Sequence, residues 1–407
     1  MKTDAIRNVA DARRIAARTL PRVVFDYVDG GADDEVTMRA NEAAFEKITF
    51  RPRMGVEAGM PELGVTVLGY DLAVPVILAP CGLARVMHPD SAEGAARAAA
   101  GRGTVSVLST VAGVPLERVV PEGGGRVWFQ LYSAGGRNDA EVLCERASRA
   151  GVDVLMVTID TAALGNRERD KRHGVTPPLR IGPRSTINLG YQVLSRPAWT
   201  WRMAKSGVSM LRKPADERSS AGDSDPKRTA DAAPPAEGGT EERSAGAKRM
   251  LSMAASPFLW SDIAWLAEQW PGKLVVKGVL TGEDGRRAAD AGAHGVVVSN
   301  HGGRQLDGAP ATLDALPEVV AAVGDDLEVL VDSGFRRGSH VVKALALGAR
   351  AVMIGRPYLF GLAAAGQAGV ERVLDLFTEE TARTMTLLGC ADVSELSRDW
   401  LNLPQQL

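Results

Sequence analysis

The sequence predicts an α/β protein built as a closed eight-stranded parallel barrel, a (β/α)8 or TIM barrel, and three observations lead there. First, four stretches repeat one unit, an Ala-rich helical end, a glycine and an apolar strand that closes on a polar or glycine residue. They are ARAAAGRGTVSVLS (96–109), RASRAGVDVLMVT (146–158), AADAGAHGVVVSN (288–300) and VKALALGARAVMIG (342–355). The glycine suits a helix C-cap, and continuous Val, Leu and Ile suits a strand covered on both faces. Second, the apolar runs VPVILAP (74–80), RVWFQL (126–131), KLVVKG (273–278) and LEVLVDSG (327–334) raise the strand count to eight. An open doubly wound sheet satisfies this periodicity too. Third, all eight runs end on polar, catalytically able or glycine residues, as the active face of a barrel requires, whereas a single crevice would use fewer of them.

In chain order, residues 1–73 precede the first strand and hold a helical start (NVADARRIAARTL) and the segment FDYVDGGADD, read as an N-terminal cap. The barrel strands follow, interrupted after the fourth by a long loop over 181–256. Within that loop, residues 215–249 are dense in Ala, Gly, Ser, Pro and charge and lack aromatic and β-branched apolar residues. Such a segment buries too little apolar surface to offset its ordering entropy. It reads as a disordered surface loop or an inter-domain linker. The same kind of unit on both flanks favours the loop, and with it one domain over 1–407.

Composition narrows the function classes. With 45% hydrophobic and 24% charged residues the chain is an ordinary globular enzyme type, not disordered, collagenous or coiled-coil. A net charge of -2 offers no general footprint for nucleic acid. Cys81, Cys144 and Cys390 are an odd, sparse set without ligand spacing, against a disulfide scaffold or a zinc site, and no other metal-ligand spacing is present. The N-terminus lacks the apolar core of a secretory signal, and no apolar run reaches the roughly 18 residues of a membrane span. A cytoplasmic protein is expected, with peripheral attachment left open.

The most informative segment is VSNHGGRQLDG (298–308). His301 follows an apolar strand, two glycines permit close backbone approach, and Arg304 stands three residues on. An imidazole beside a guanidinium suits proton abstraction from an anionic substrate whose carboxylate the arginine holds. Asp160, at the end of the fourth strand in VTIDT, is the candidate partner that fixes the tautomer. Arg167 in LGNRERD is a second cation for the substrate or, equally, part of a solvated ion network. Tyr27 and Tyr132 have hydroxyls able to donate to substrate oxygens, or are packing residues. VDSGFRRG (331–338) and IGRPYLFG (354–361) end the last two strands, where barrels commonly bind phosphate, and Arg336 and Arg356 add charge there. Lys277, alone at the end of the fifth strand, suits an anionic ring or oxyanion. No G-x-G-x-x-G motif stands in a strand-to-helix context, so a dinucleotide site is poorly supported.

The segments FDYVDGGADDE, FQLY, GNRERD, VVKGVLTGEDGRRAADAGAHGVVVSNHGGRQLDG and ALALGARAVMIGRP resemble the FMN-dependent α-hydroxy acid dehydrogenases and oxidases. That family includes L-lactate and (S)-mandelate dehydrogenases, glycolate oxidase and the flavin domain of flavocytochrome b2. The resemblance covers residues 5–190 and 250–400 and implies FMN as cofactor and oxidation of an (S)-2-hydroxy acid. It implies His301 as base with Asp160 as its partner, and Arg304, Arg167, Tyr27 and Tyr132 on the substrate. Lys277 would lie at the N1/O2 edge of the flavin and Pro80, Cys81 and Gly82 near N5. Ser109, Gln130, Thr158 and Ser299 would hydrogen-bond the ring, Asp332 the ribityl chain, and Gly334, Arg336, Gly355 and Arg356 the phosphate. Another flavin barrel would need a phosphate-binding substrate pocket or a catalytic cysteine loop, and neither is found. A non-catalytic binding protein would have lost some of His301, Asp160, Arg304 or Lys277.

Short-chain oxidases of the family often carry Thr-Ala after the first-strand proline and a Trp beyond the second strand. This chain has Cys81-Gly82 and Val111, which leave room for a medium or large hydroxy acid, aliphatic or aryl. The resemblance implies a quinone, a cytochrome or O2 as acceptor and a homo-oligomer, tetrameric in similar proteins. A dehydrogenase passing electrons to quinone is expected over an oxidase producing H2O2. Residues 181–215 hold Arg184, Arg196, Arg202, Lys205, Arg212 and Lys213, no acidic residue, and Trp199 and Trp201. This pattern fits either an anionic membrane surface or a loop packed on the barrel by its tryptophans.

Overall fold

Val, Leu and Ile dominate eight short runs, and the chain buries these apolar side chains by rolling the sheet into a barrel covered with helices. The computed structural model describes residues 3–56, 59–132, 135–173, 190–211 and 257–404. The barrel strands are β1 (Val76–Leu78), β2 (Ser106–Ser109), β3 (Val127–Leu131), β4 (Val154–Thr158), β5 (Lys273–Val279), β6 (Gly295–Val298), β7 (Glu328–Val331) and β8 (Ala351–Ile354). All pairings are parallel, in chain order, and β8 closes on β1 through Val352 opposite Val76. The expected closed barrel is the fold, and the open sheet is excluded.

The repeated helix-Gly-strand unit works as its sequence predicts. Gly103, Gly151, Gly292 and Gly348, each at the junction from helix to strand, all have positive φ, from 65° to 102°. Helices α4 (Ser91–Gly101), α5 (Gly136–Arg149), α9 (Gly282–Asp290), α10 (Thr312–Val323), α11 (Gly338–Ala346) and α12 (Arg356–Ala365) line the outside. After β4 come α6 (Glu168–Arg172), α7 (Pro197–Leu211) and α8 (Trp260–Gln269), and α13 (Gln367–Leu388) ends the helical part. The segment 215–249 lies outside the described residues.

The barrel interior is packed by Ile77, Val107, Trp128, Met156, Val275, Val297, Leu330 and Met353, all fully or almost fully buried. The residues before β1 divide between its two ends. A hairpin of Val65–Val67 with Tyr70–Leu72 plugs the amino end of the strands. The backbone N–H of Leu68 donates to both carboxylate oxygens of Glu328, at 2.9 and 3.0 Å, and Tyr70 packs edge-on against Trp128. Helices α1 (Val9–Thr19), α2 (Arg22–Asp29) and α3 (Val36–Ala43) come earlier, and α2 and α3 reach the carboxyl end. Asn8 caps α1 by accepting from the Asp11 N–H at 2.8 Å, and α2 carries Tyr27 to the mouth of the barrel. Among the described residues no helix is long and apolar enough to cross a membrane.

Candidate active site

At the carboxyl ends of the strands the wall of one cavity includes Tyr27, Pro80, Cys81, Gly82, Tyr132, Thr158, Arg167, Lys277, His301, Arg304, Asp332, Gly334, Arg336, Gly355 and Arg356. Asp160, Ser109, Gln130 and Ser299 stand behind this wall, each hydrogen-bonded to a residue in it or to the next residue back. Every residue assigned in the sequence to catalysis, substrate or cofactor is therefore brought to this end of the barrel.

The segment after β6 makes a backbone turn that only a glycine-rich sequence allows. His301, Gly302 and Gly303 follow one another with φ of 59°, 67° and 71°. Two glycines adopt this region freely, whereas the histidine is strained there. The strain is held by hydrogen bonds: the His301 N–H donates to Ser299 Oγ at 3.1 Å and the Gly303 N–H to Asn300 Oδ1 at 3.1 Å. Asn300 in turn exchanges side-chain amide bonds with Asn41 of α3, at 2.9 and 2.8 Å. The turn aims the imidazole so that Nδ1 meets Asp160 Oδ1 at 3.0 Å and Oδ2 at 3.2 Å, while Nε2 faces Tyr132 Oη at 3.4 Å. A carboxylate on Nδ1 places the neutral ring's proton there and leaves the Nε2 lone pair toward the cavity. Burial opposes the charge on Asp160, but His301 by charge and hydrogen bond, and Lys277 by charge, hold its carboxyl below the usual range. Close packing from β5 makes this possible: a β-bulge at Gly278, φ 108°, faces Asp160, and a Cβ there would lie 2.8 Å from the aspartate's own Cβ.

Lys277 is buried, with Nζ 2.7 Å from Ser299 Oγ and 2.9 Å from Asp332 Oδ2. Burial favours the neutral amine, but the charges of Asp332 and Asp160 outweigh it and raise the pKa, so the group is a fixed cation. Behind it a buried ladder crosses three strand ends: Ser109 Oγ donates to Gln130 Oε1 at 2.7 Å, and Gln130 Nε2 donates to Thr158 Oγ1 at 3.0 Å.

The cavity is otherwise strongly cationic. Arg304 donates Nη1 to the carbonyls of Tyr27 and Gly30, at 2.6 and 3.0 Å. Arg356 donates to the carbonyls of Val28, Gly302 and Gly30, and Arg336 pairs with Glu42 at 2.8 Å. Neither Arg304 nor Arg356 has a carboxylate partner among the described residues. Burial, with the neighbouring Arg167, lowers the Arg304 pKa; burial, with Arg304 and Arg336, brings that of Arg356 to about 9. Cations that repel one another without counter-ions make a place for anions. Arg167 sits at the edge, 3.9 Å from Asp170. Burial pushes the Cys81 thiol up, so it is a neutral wall residue.

The model of the FMN-dependent dehydrogenase family matches residues 16–403. The chain belongs to this family. FMN is therefore its cofactor, and the donors present fit one: two under-compensated arginines, positive-φ Ser333 and Gly334 at the end of β7, and polar side chains at successive strand ends. L-lactate oxidase of Nostoc sp. is 39% identical over 403 residues, 97% of this chain and 98% of the relative. Pre-mycofactocin synthase of Mycobacterium tuberculosis is 41% identical over 389 residues, 96% of this chain and 92% of the relative. Among solved structures, the monotopic membrane protein (S)-mandelate dehydrogenase superposes with a TM-score of 0.83 at 35% identity, over 98% of this chain and 100% of that one.

Three residues of this FMN-dependent enzyme were missed by sequence reasoning. Asn41 lies 259 positions from the Asn300 it pairs with, and nothing in the local sequence marks it. Ser333, whose Oγ accepts from the Gly302 N–H at 3.0 Å, and Gln305, beside Arg304, both line the cavity. Their positions next to Asp332 and Arg304 are the signal that could have found them.

Proposed function

We propose that the protein oxidises an (S)-2-hydroxy acid to the 2-oxo acid and passes the electrons to an external acceptor. The observation that carries this reading is the sharing of one cavity by His301, aligned on Asp160, and Arg304, which has no carboxylate partner among the described residues. FMN, when bound, would supply the acceptor for two electrons and one of the two hydrogens lost when the alcohol becomes the ketone. His301 Nε2 takes up the other hydrogen as a proton, and Asp160 stabilises the charge formed on the ring. Arg304 and Arg167 hold the carboxylate, with Tyr27 and Tyr132 placing its oxygens. Lys277 and Asp332, with the Ser109–Gln130–Thr158 ladder and Ser299, are assigned to the ring and ribityl chain. Gly334, Arg336, Gly355 and Arg356 are assigned to the phosphate. Pro80, Cys81 and Gly82 form the wall beside them.

The substrate we assign is medium or large, lactate or longer, aliphatic or aryl. A Cβ at Gly82 would come 3.0 Å from Tyr27 Oη and 3.1 Å from Val111 Cγ2, so the glycine keeps that corner of the cavity open. The acceptor we assign is a quinone. Similarity to L-lactate oxidase favours the second reading, direct reoxidation by O2. Peripheral contact with a membrane is supported by α7 and the residues before it. Tyr191, Leu194 and Trp201 are exposed beside Arg196, Arg202 and Lys205, whereas Trp199 is packed down with its Nε1 donating to the Val86 carbonyl at 3.1 Å. Anaerobic mixing of the FMN-loaded enzyme with glycolate, lactate, 2-hydroxyoctanoate and mandelate tests the substrate class: bleaching by the larger acids supports it, and bleaching by none contradicts it.

A further inference from the structure

Asp160 and His301 come from loops that follow β4 and β6, with the whole of β5 between them. The geometry of the pair therefore depends on what ties the two loops together. One side chain does so with every polar atom it has. Gln305 donates Nε2 to the carbonyl of Asp160 at 2.8 Å and to that of Ala163 at 3.0 Å, and its Oε1 accepts from the Gly165 N–H at 3.2 Å. An amide has two N–H donors and a carbonyl acceptor, and all are spent on the loop that carries Asp160. The backbones touch as well: a Cβ at Gly165 would lie 2.1 Å from the Arg304 carbonyl oxygen and 2.8 Å from Gln305 Cα.

We propose that Gln305 is a positioning residue for the His301–Asp160 pair, holding the carboxylate on Nδ1 by clamping the Asp160 loop to the His301 loop. This inference rests on the reading of His301 as the base. Arg304, the neighbour of Gln305, is anchored elsewhere, on Tyr27 and Gly30. Loss of the clamp thus disturbs the alignment of the base more than capture of the substrate carboxylate.

The test is Gln305→Met, which keeps the length of the side chain and removes the clamp. Retention of FMN is expected, with flavin reduction slowed about tenfold or more and KM changed less than about threefold, since a misaligned base forfeits part of the roughly 100- to 10,000-fold that general-base catalysis contributes. Withdrawing a carboxylate from an imidazole favours the neutral ring, so the acidic limb of the pH profile moves to lower pH. The same shift is read without substrate by labelling the five histidines with 13C at Cε1, assigning His301 by its loss in His301→Gln, and titrating. A titration midpoint and a reduction rate equal to wild type overturn the proposal. So does a parallel loss of FMN, KM and rate with the midpoint unchanged, which marks a merely structural residue. Should Gln305→Met fail to fold, Gln305→Asn, which keeps the amide but shortens its reach, is expected to shift the midpoint in the same direction; no shift in that variant overturns the proposal. Flavin reduction that survives in His301→Gln would defeat the base assignment instead, while leaving the titration difference between wild type and the Gln305 variants to stand.

Discussion

Arg304 lies over the ring of Tyr27, its guanidinium carbon 5.0 Å from the ring centroid, and donates Nη1 to the carbonyl oxygen of that same tyrosine at 2.6 Å. One contact thus fixes two of the four residues proposed to engage the substrate carboxylate. Arg304 has no carboxylate within ion-pair distance among the described residues, which leaves its other N–H groups for the proposed substrate carboxylate. Arg304→Lys preserves the charge and loses the planar fork and the carbonyl anchors. Its kcat/KM for 2-hydroxy acids is expected to fall about 100-fold or more, roughly 3 kcal/mol of transition-state stabilisation. Steady-state kinetics check this, and unchanged efficiency would mean that another residue holds the carboxylate.

Gly82→Ala should narrow the cavity. The added methyl meets Tyr27 Oη and Val111 Cγ2 at 3.0 and 3.1 Å, closer than ordinary contact. Efficiency on an aryl acid is expected to drop about 10-fold relative to glycolate, in line with the few kcal/mol that such pockets discriminate. The ratio of kcat/KM for mandelate and glycolate in the two enzymes measures it. A ratio that does not move would detach Gly82 from substrate size.

His340 supplies an acid-sensitive support for the loop that ends β7. It stacks on Phe45 with centroids 4.0 Å apart and accepts from the Arg336 N–H at 3.3 Å. Burial, with Lys343, depresses its pKa to about 3. Above pH ~6.5 the ring is neutral in both folded and unfolded chains. As pH falls from there toward 3, the unfolded chain takes up a proton that the folded one refuses, and stability is lost. The cost at pH 5 is about 2 kcal/mol. His340→Gln should therefore lose less thermal stability between pH 7 and pH 5 than wild type. Identical losses would show that the ring is not the acid-sensitive group.

The exposed Trp201, with Lys205 5.2 Å over its ring, predicts salt-sensitive binding to anionic liposomes, weakened by Trp201→Ser. Sedimentation at low and moderate salt measures this, and no binding at low salt would leave α7 as a packing element. The dehydrogenase reading predicts that a quinone analogue reoxidises the reduced enzyme faster than air does. Equal rates would favour the oxidase.

The barrel was legible because a strand buried on both faces leaves a continuous apolar run, and because the helix-to-strand glycines recur at fixed places. The polar strand ends were legible as a set, since a parallel barrel brings all of them to one face. The tie between Asn41 and Asn300, and the clamp of Gln305 on the Asp160 loop, follow no period and span 259 and 145 positions, so only the folded chain displays them. The division of residues 1–73 between the two ends of the barrel was hidden for the same reason: the short hairpin at 65–72 has no sequence signal for which end it plugs. Trp199 and Trp201 look equivalent in sequence, yet one is packed on Val86 and the other exposed, because they lie two residues apart and so on different faces of a helix.

The central claim is that His301, held by Asp160, is the base in FMN-dependent oxidation of a 2-hydroxy acid. The most direct measurement is anaerobic rapid mixing of FMN-loaded wild type and His301→Gln with the best acid of the panel, followed at the flavin absorbance. Wild type should bleach rapidly, and the variant should keep its FMN while bleaching at least about 1,000-fold more slowly, the scale of a lost general base. Bleaching of the variant at near the wild-type rate would contradict the account.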